Sequence, residues 1–399
     1  MNSSPFKCSL FWASIVLVVV SLFIWNSRQE RRQHAAMQKQ QLQTQRAAAL
    51  LFRSFHTDNY LTYSAISKTT ARMGGKKMES VARIIHAPRR LVISYVSGDY
   101  AGLSGGYNEH WSWRQGGNAQ TMVPYAELER PADEMAAGRF ALLLENYKAN
   151  WDGNETVSGH DAAVVELSPM RPVEGARGPA RKLWIDAKTG LTLRQQSFNY
   201  QMRPVMESVL SEVTYTPPIN ATTFVTPQTM RKAALAKPWM MQDSSDDRQK
   251  VAQLSGLYPP QSKELPEGFQ FDSVGAHRCQ TCQNPCYAVL SRYTDGLNTL
   301  TVFAINLKCA NVVNTNKTNN AGGKTSSDAA AQKTSAEKDA LQSCDFGTGT
   351  MVMRDTKEGN LIAVADLPAA ALKRVLESTT VQAYNGSAPV SVSPAVSSR

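Results

Sequence analysis

The chain has 399 residues, 42% hydrophobic and 19% charged, with a net charge of +10. That length holds two domains of ordinary size plus tails, and the composition excludes a wholly disordered or collagen-like chain. Half of the positive excess lies in residues 1–60, where Lys7, Arg28, Arg31, Arg32, Lys39, Arg46 and Arg53 face only Glu30 and Asp58. Basic residues directly behind an apolar segment point to a topology signal or to anionic lipid. No aromatic-interleaved basic patch or helix-turn-helix pattern accompanies them, so no nucleic-acid partner is expected.

The first element is the uncharged run from Cys8 to Trp25, CSLFWASIVLVVVSLFIW. As a helix its length roughly matches the hydrocarbon core of a bilayer, and Phe6, Phe11, Trp12 and Trp25 suit the two interfaces. FIWNSRQE offers no small-residue cleavage site, and no lipobox precedes Cys8. The expectation is an uncleaved anchor over 1–27, a single pass through the inner membrane. Lys7 on one side and Arg28, Arg31 and Arg32 on the other would by charge place the body in the cytoplasm; the cysteines and the resemblance below place it outside.

Residues 28–59 read as a helical stalk, polar at first and ending in Leu50, Leu51, Phe52 and Phe55. From Tyr60 the pattern changes to strands and turns: YLTYSAISKTTAR, a turn at Met73-Gly74-Gly75-Lys76, MESVARIIHA, LVISYV and HWSWRQ at 110–115. A helix is expected over 138–151. Strands follow in ETVSGHDAAVVELSP, in RKLWIDAKTGLTLRQQSF with its Lys188-Thr189-Gly190 turn, and in PVMESVLSEVTYT. Consecutive strands with the helices set aside make residues 60–216 an α+β domain rather than alternating βα units. Prolines punctuate 217–262, read as a linker with some helix in it. A smaller α+β unit spans 263–379, with a hairpin around Asp295-Gly296, a low-complexity insert over 310–343 expected to be disordered, and a closing helix over 368–378 opened by Pro368. Residues 380–399 read as a disordered tail.

Catalytic signatures are absent: there is no G-x-S-x-G, H-E-x-x-H, Walker loop or strand-linked G-x-G-x-x-G. The six histidines (34, 56, 86, 110, 160 and 277) are scattered singly, and Asp186 reads as a turn residue at a hairpin mouth. The chain is expected to be no enzyme and to need no cofactor. Cys279, Cys282, Cys286, Cys309 and Cys344 cluster in the second unit. Disulfides of an oxidising compartment are the favoured reading. Cys309 ends one expected strand and Cys344 begins the next, so a bridge between them would close the base of the insert. A thiolate metal site at the C-x2-C spacing and free structural thiols are the alternatives.

The run LWIDAKTGLTLR (183–194) followed by MESVLSEVTYT (206–216) resembles the lipoprotein-carrier, LolA-like fold, with its W-x-D-x-x-x-G-L hairpin. ELPEGF (264–269), YTDGLNTLTVF (293–303) and LIAVADLPAAALKRVLES (361–378) resemble, in that order, the C-terminal domain of the MucB/RseB family of periplasmic sigma-factor regulators. The likeness covers roughly 45–215 and 262–380. It implies an antiparallel half-barrel with helices on its concave face, then a smaller α+β domain. It also implies an apolar cavity for a lipid or lipoprotein acyl chain, with Tyr63, Ile84, Val92, Ile93, Trp111, Trp113, Leu142, Trp184 and Phe198 as its candidate lining. The function implied is extracytoplasmic sensing in a sigma-factor pathway, with a membrane-embedded anti-sigma factor as partner. The alternative is a membrane-tethered lipoprotein or lipid carrier.

Overall fold

The computed structural model describes residues 6–386, except 110, 117–118, 125–131, 221, 226–239, 242–244, 279–286, 307–340 and 346–347. A long helix, α1 (Phe6–Phe55), and a short one, α2 (Thr57–Tyr60), lead into six strands. These are β1 (Tyr63–Met73), β2 (Lys76–Ala87), β3 (Arg90–Gly98), β4 (Ser104–Tyr107), β5 (Trp111–Gly116) and β6 (Ala119–Pro124). After α3 (Ala132–Asn146) come β7 (Tyr147–Val157), β8 (His160–Pro169), β9 (Ala180–Asp186), β10 (Thr192–Phe198) and β11 (Pro204–Tyr215). The strands form one sheet in the order β6-β5-β4-β3-β2-β1-β11-β10-β9-β8-β7. Two meanders are thus zipped together at β1 and β11, from Tyr63 opposite Tyr215 to Ala71 opposite Met206. The Met73–Lys76 turn carries positive φ at both Gly74 and Gly75, the geometry that matches the twist of a tight hairpin. The sheet curls far enough for Ser158 Oγ, after β7, to donate to the Leu210 carbonyl on β11 at 2.5 Å.

Strand alternation buries both faces of β8 and β9. Ala163, Val165 and Leu167 with Leu183 and Ile185 pack under Ala47, Leu50 and Leu51 of α1 and Leu143 of α3. Ala162, Val164 and Trp184 pack on the other side with Ala65, Leu193 and Leu210. Leu51 and Leu143 are fully buried, each worth about 1.5–3 kcal/mol. Arg46 stacks 4.0 Å over the Trp151 ring, fixing the end of α1 on β7. The helix expected over 138–151 stops at Asn146. From Tyr147 on, buried and exposed positions alternate, because a residue in the edge strand beside β8 satisfies its backbone there instead.

Beyond β12 (Met240–Met241), α4 (Ser245–Ser255) and β13 (Gln261–Ser262) lies a second sheet. Its strands are β12 together with β14 (Gln270–Arg278), β15 (Tyr287–Thr294), β16 (Thr299–Asn306), β17 (Gln342–Asp345), β18 (Thr350–Asp355) and β19 (Gly359–Ala365), in the order β12-β14-β15-β16-β19-β18-β17. The last helix, α5 (Ala369–Ser378), with Pro368 as its N-cap, buries Ala371, Leu372, Val375 and Leu376, one apolar stripe at helical spacing. That stripe packs on Leu300, Val302 and Ala304 of β16 and Leu361, Ala363 and Ala365 of β19. The segment expected as a tail is tied down at its start: β20 (Thr379–Thr380) pairs with β13, and Tyr384 N–H donates to the Gly256 carbonyl at 3.0 Å.

Two expectations are corrected. The membrane helix over 1–27 is not found as a separate element: among the described residues no helix is long and apolar enough to cross a membrane. Residues 6–55 instead form one unbroken helix, exposed and polar from Gln29 to Gln41. With the membrane helix go the single-pass placement in the inner membrane and the membrane as a partner. Residues 1–5, and the side chains of Cys8–Trp25, lie outside the described residues. The Cys309–Cys344 disulfide is corrected as well. Cys344 is a free, exposed thiol on β17, opposite Met351 of β18. The strand leading towards Cys309, β16, is separated from β17 by β19 and β18. Cys309, Cys279, Cys282 and Cys286 lie outside the described residues, as does most of the 310–343 insert.

Candidate functional site

The two sheets meet at the tip of the β15–β16 hairpin. Asp295 Oδ1 accepts from Leu297 N–H at 2.8 Å and Asn298 N–H at 2.6 Å, an Asx turn that needs no outside partner. Gly296, at φ +94°, rests on α3 so closely that a methyl group there would collide with the backbone at Leu143 and Arg139. One residue position at the end of α3 gathers the contact: Asn146 Nδ2 donates to the carbonyls of Gly268 at 3.0 Å and Asp295 at 3.1 Å. Beside it Tyr147 OH donates to Asp295 Oδ2 at 2.7 Å, and Asn298 Nδ2 donates to the Tyr147 oxygen at 2.7 Å. Burial, then the Asp295 charge, hold the Tyr147 phenol far above its ordinary range. Burial pulls the Arg181 guanidinium down, opposed by Tyr147 and Asp295, and its Nη2 donates to the Leu297 carbonyl at 3.3 Å.

Ion pairs extend this seam. Arg139 of α3 meets Asp272 of β14 at 3.1 Å, Arg171 meets Glu267 at 2.6 Å, and Arg374 of α5 meets Glu174 at 3.1 Å. On the far side Tyr200 N–H donates to Asp366 Oδ1 at 3.0 Å. Between these ties lies a cleft of about 440 Å³. One wall is Pro179, Ala180, Arg181, Ser197, Phe198, Val205 and Met206, at the ends of β9, β10 and β11; the other includes Leu297, Asn298, Thr299, Thr301, Val364 and Asp366. Thr299, Thr301 and Val364 alternate with the residues of β16 and β19 that pack on α5, so the cleft uses the face of the second sheet opposite its core. Asp366 is pushed up to about 6, first by burial and further by Asp345 and Asp295, against the Tyr200 hydrogen bond.

The sequence-derived cavity residues do not share one lining. Cross-strand register places Tyr63 with His86, and Ile84 with Ile93, on one face of the sheet. Val92, opposite Gly106, which is itself opposite Trp113, lies on the other. Trp113 is buried against Gly106. Tyr63 and Ile84 edge the cluster around the buried Trp184, whose Nε1 donates to Glu155 at 2.7 Å under the Arg194 guanidinium. Leu142 is buried on α3, and Phe198 alone of the set lines the cleft. The strand position of Trp111 is described, its side chain is not. Asp186 is the turn residue expected: its Oδ1 accepts from Lys188 and Thr189 N–H, and Tyr215 OH donates to Oδ2 at 2.7 Å. Asn146, Arg181, Met206 and Asp366 were not singled out as site residues from the sequence, and Tyr147 was read only as part of the buried face of the helix expected over 138–151. The nearest signals were the family motifs: Met206 opens MESVLSEVTYT and Asp366 lies within LIAVADLPAAALKRVLES.

Residues 108–230 match the family model described as the MucB/RseB N-terminal domain. Among solved structures, the MucA/MucB complex of Pseudomonas aeruginosa is similar at 16% identity and a TM-score of 0.54, covering 84% of this chain and 98% of that one. A structure of MucB with MucA(peri) gives 16% and 0.54, over 85% and 100%. A structure of MucB alone gives 15% and 0.47, over 84% and 97%. No curated protein matches the chain.

Proposed function

We propose, from the premise that this chain belongs to the MucB/RseB family, that it is a periplasmic regulator whose partner is an anti-sigma factor of the MucA type. The members of that family are non-catalytic regulators, so what must be explained is a binding surface rather than a reaction. The observation that carries the reading is the cleft of about 440 Å³ between the two sheets, which neither sheet forms alone. Its walls combine apolar side chains (Phe198, Met206, Leu297) with hydrogen-bonding ones (Asn298, Thr299, Thr301), the mixture a specific peptide interface needs. A partner segment seated there is shielded on both sides. The MucA/MucB structures named above support the choice of partner.

In the same proposal a lipid or lipoprotein chain acts as the releasing ligand. Tyr63 and Ile84, only partly buried at the edge of the Trp184 cluster, are where an acyl chain gains contact most easily, at about 0.8 kcal/mol per buried CH2. Such a ligand releases the partner only by binding the partner-free state more tightly. The test is titration calorimetry of the chain with the extracytoplasmic part of an anti-sigma factor from the same genome. Binding is expected, and Met206→Arg or Leu297→Arg is expected to abolish it. No binding, or binding indifferent to those substitutions, sinks the reading.

A further inference from the structure

Asp366 follows the last residue of β19 and lines the cleft beside Phe198, Met206 and Leu297. Among the described residues its carboxylate has one hydrogen-bond partner, the Tyr200 N–H, and no cation at ion-pair distance. The cation that shares the cleft, Arg181, is turned to the Leu297 carbonyl and to the charge of Asp295. The charges that act on Asp366 are both negative, Asp345 and Asp295. A half-buried carboxylate in a negative field and against apolar side chains is costly by itself, and an incoming cation relieves that cost.

A second feature bears on the shape of the occupant. Asp345 ends β17, the last strand of its sheet among the described residues, and its Oδ2 accepts from Tyr200 OH at 3.4 Å. Among the described residues no strand pairs with the outer side of β17, which ends shortly before Thr348 of the cleft wall, and an extended chain can pair with such an edge.

We propose that the cleft takes an extended peptide segment in which a lysine or arginine pairs with Asp366 while flanking apolar side chains lie on Phe198 and Met206. This rests on the cleft being the partner site and adds the sequence chemistry of the partner. The cation neutralises a group that has no counter-charge among the described residues, and the apolar flanks cover a wall that water otherwise wets. A neutral or acidic segment of the same shape leaves Asp366 buried with no counter-charge.

The test is selection of a random 12-residue peptide library on phage against the full chain, followed by binding measurements with one synthetic winner. Winners are expected to carry one Lys or Arg flanked by apolar residues, and to lose binding to a chain in which Met206→Trp fills the cleft. Asp366→Asn, checked for folding by circular dichroism, is expected to weaken the winner about tenfold. Replacing the peptide's basic residue by Gln is expected to weaken it equally on the unmodified chain, yet less than about twofold on D366N, because the paired charges act as a unit. Winners blocked by M206W but without a basic preference and indifferent to D366N overturn this inference and leave the cleft reading standing. Winners indifferent to M206W, or no winners, overturn both.

Discussion

Tyr147, the first residue of the strand after α3, donates its hydroxyl to Asp295 Oδ2 at 2.7 Å, so the start of one sheet's edge strand is bonded to the hairpin tip of the other. Both groups are buried, and the bond is shared with Asn298. Tyr147→Phe leaves Asp295 short of a donor in a dry site. The expected loss is about 1–3 kcal/mol in urea unfolding. Because the bond couples two sheets, fluorescence and circular dichroism transitions are expected to coincide in the unmodified chain and to separate in Y147F.

Gly296 tests the same seam sterically. Its φ of +94° disfavours any side chain, at about 1–3 kcal/mol, and a methyl group there meets α3 backbone, which does not yield cheaply. Gly296→Ala is therefore expected to cost more than Y147F and to increase amide hydrogen exchange at the end of α3. An exchange pattern unchanged around Leu143 and Asn146 speaks against the dock.

The pH dependence follows from Asp366, whose pKa of about 6 lies above the ordinary aspartate value. The folded chain therefore holds this proton more tightly than the unfolded one. Its contribution is fully present below the unfolded pKa of about 3.9 and is lost as pH rises through about 6. The groups that face it are Asp345, Asp295 and the Tyr200 N–H. Asp366→Asn is expected to remove that slope, so the variant gains on the unmodified chain between pH 4.5 and 7.5. The difference is at most about 2–3 kcal/mol, less for solvent screening. Denaturant midpoints at the two pH values measure it.

Trp184 and Phe198, grouped together on sequence grounds, are expected to behave differently. Trp184 is packed inside a cluster, so Trp184→Ala is expected to destabilise by about 3–5 kcal/mol. Phe198 is only partly buried in the cleft wall, so Phe198→Ala is expected to cost under about 2 kcal/mol while weakening partner binding. Thermal unfolding and calorimetry with the anti-sigma segment separate the two. Equal stability losses contradict the assignment.

Much of the local structure is legible residue by residue. Gly74-Gly75, Lys188-Thr189-Gly190 and Asp295-Gly296 announce their turns because positive φ and Asx hydrogen bonding are properties of those residues alone. The stripe of α5 is legible for the same reason: its spacing encodes one buried face. The α3–β7 junction is not, because YKANW can continue a helix equally well. What makes it a strand is the edge of β8, contributed by residues up to 22 positions away. The proposed site was hidden more deeply. Asn146, Arg181 and Asp366 are ordinary polar residues in the chain and become a seam only when two sheets press them together.

The sequence by itself determined the α+β class, the run of hairpins, the motif order that carries the family likeness, and the lack of catalytic signatures. These depend on periodicity and turn chemistry within a few residues. Only the tertiary structure decided that β19 and β18 stand between β16 and Cys344, that the apolar candidates divide between two faces of one sheet, and that Asp295-Gly296 is a dock rather than only a turn. Strand order, facing and the fate of a buried charge are set by long-range pairing, and no local pattern specifies which strand arrives beside which.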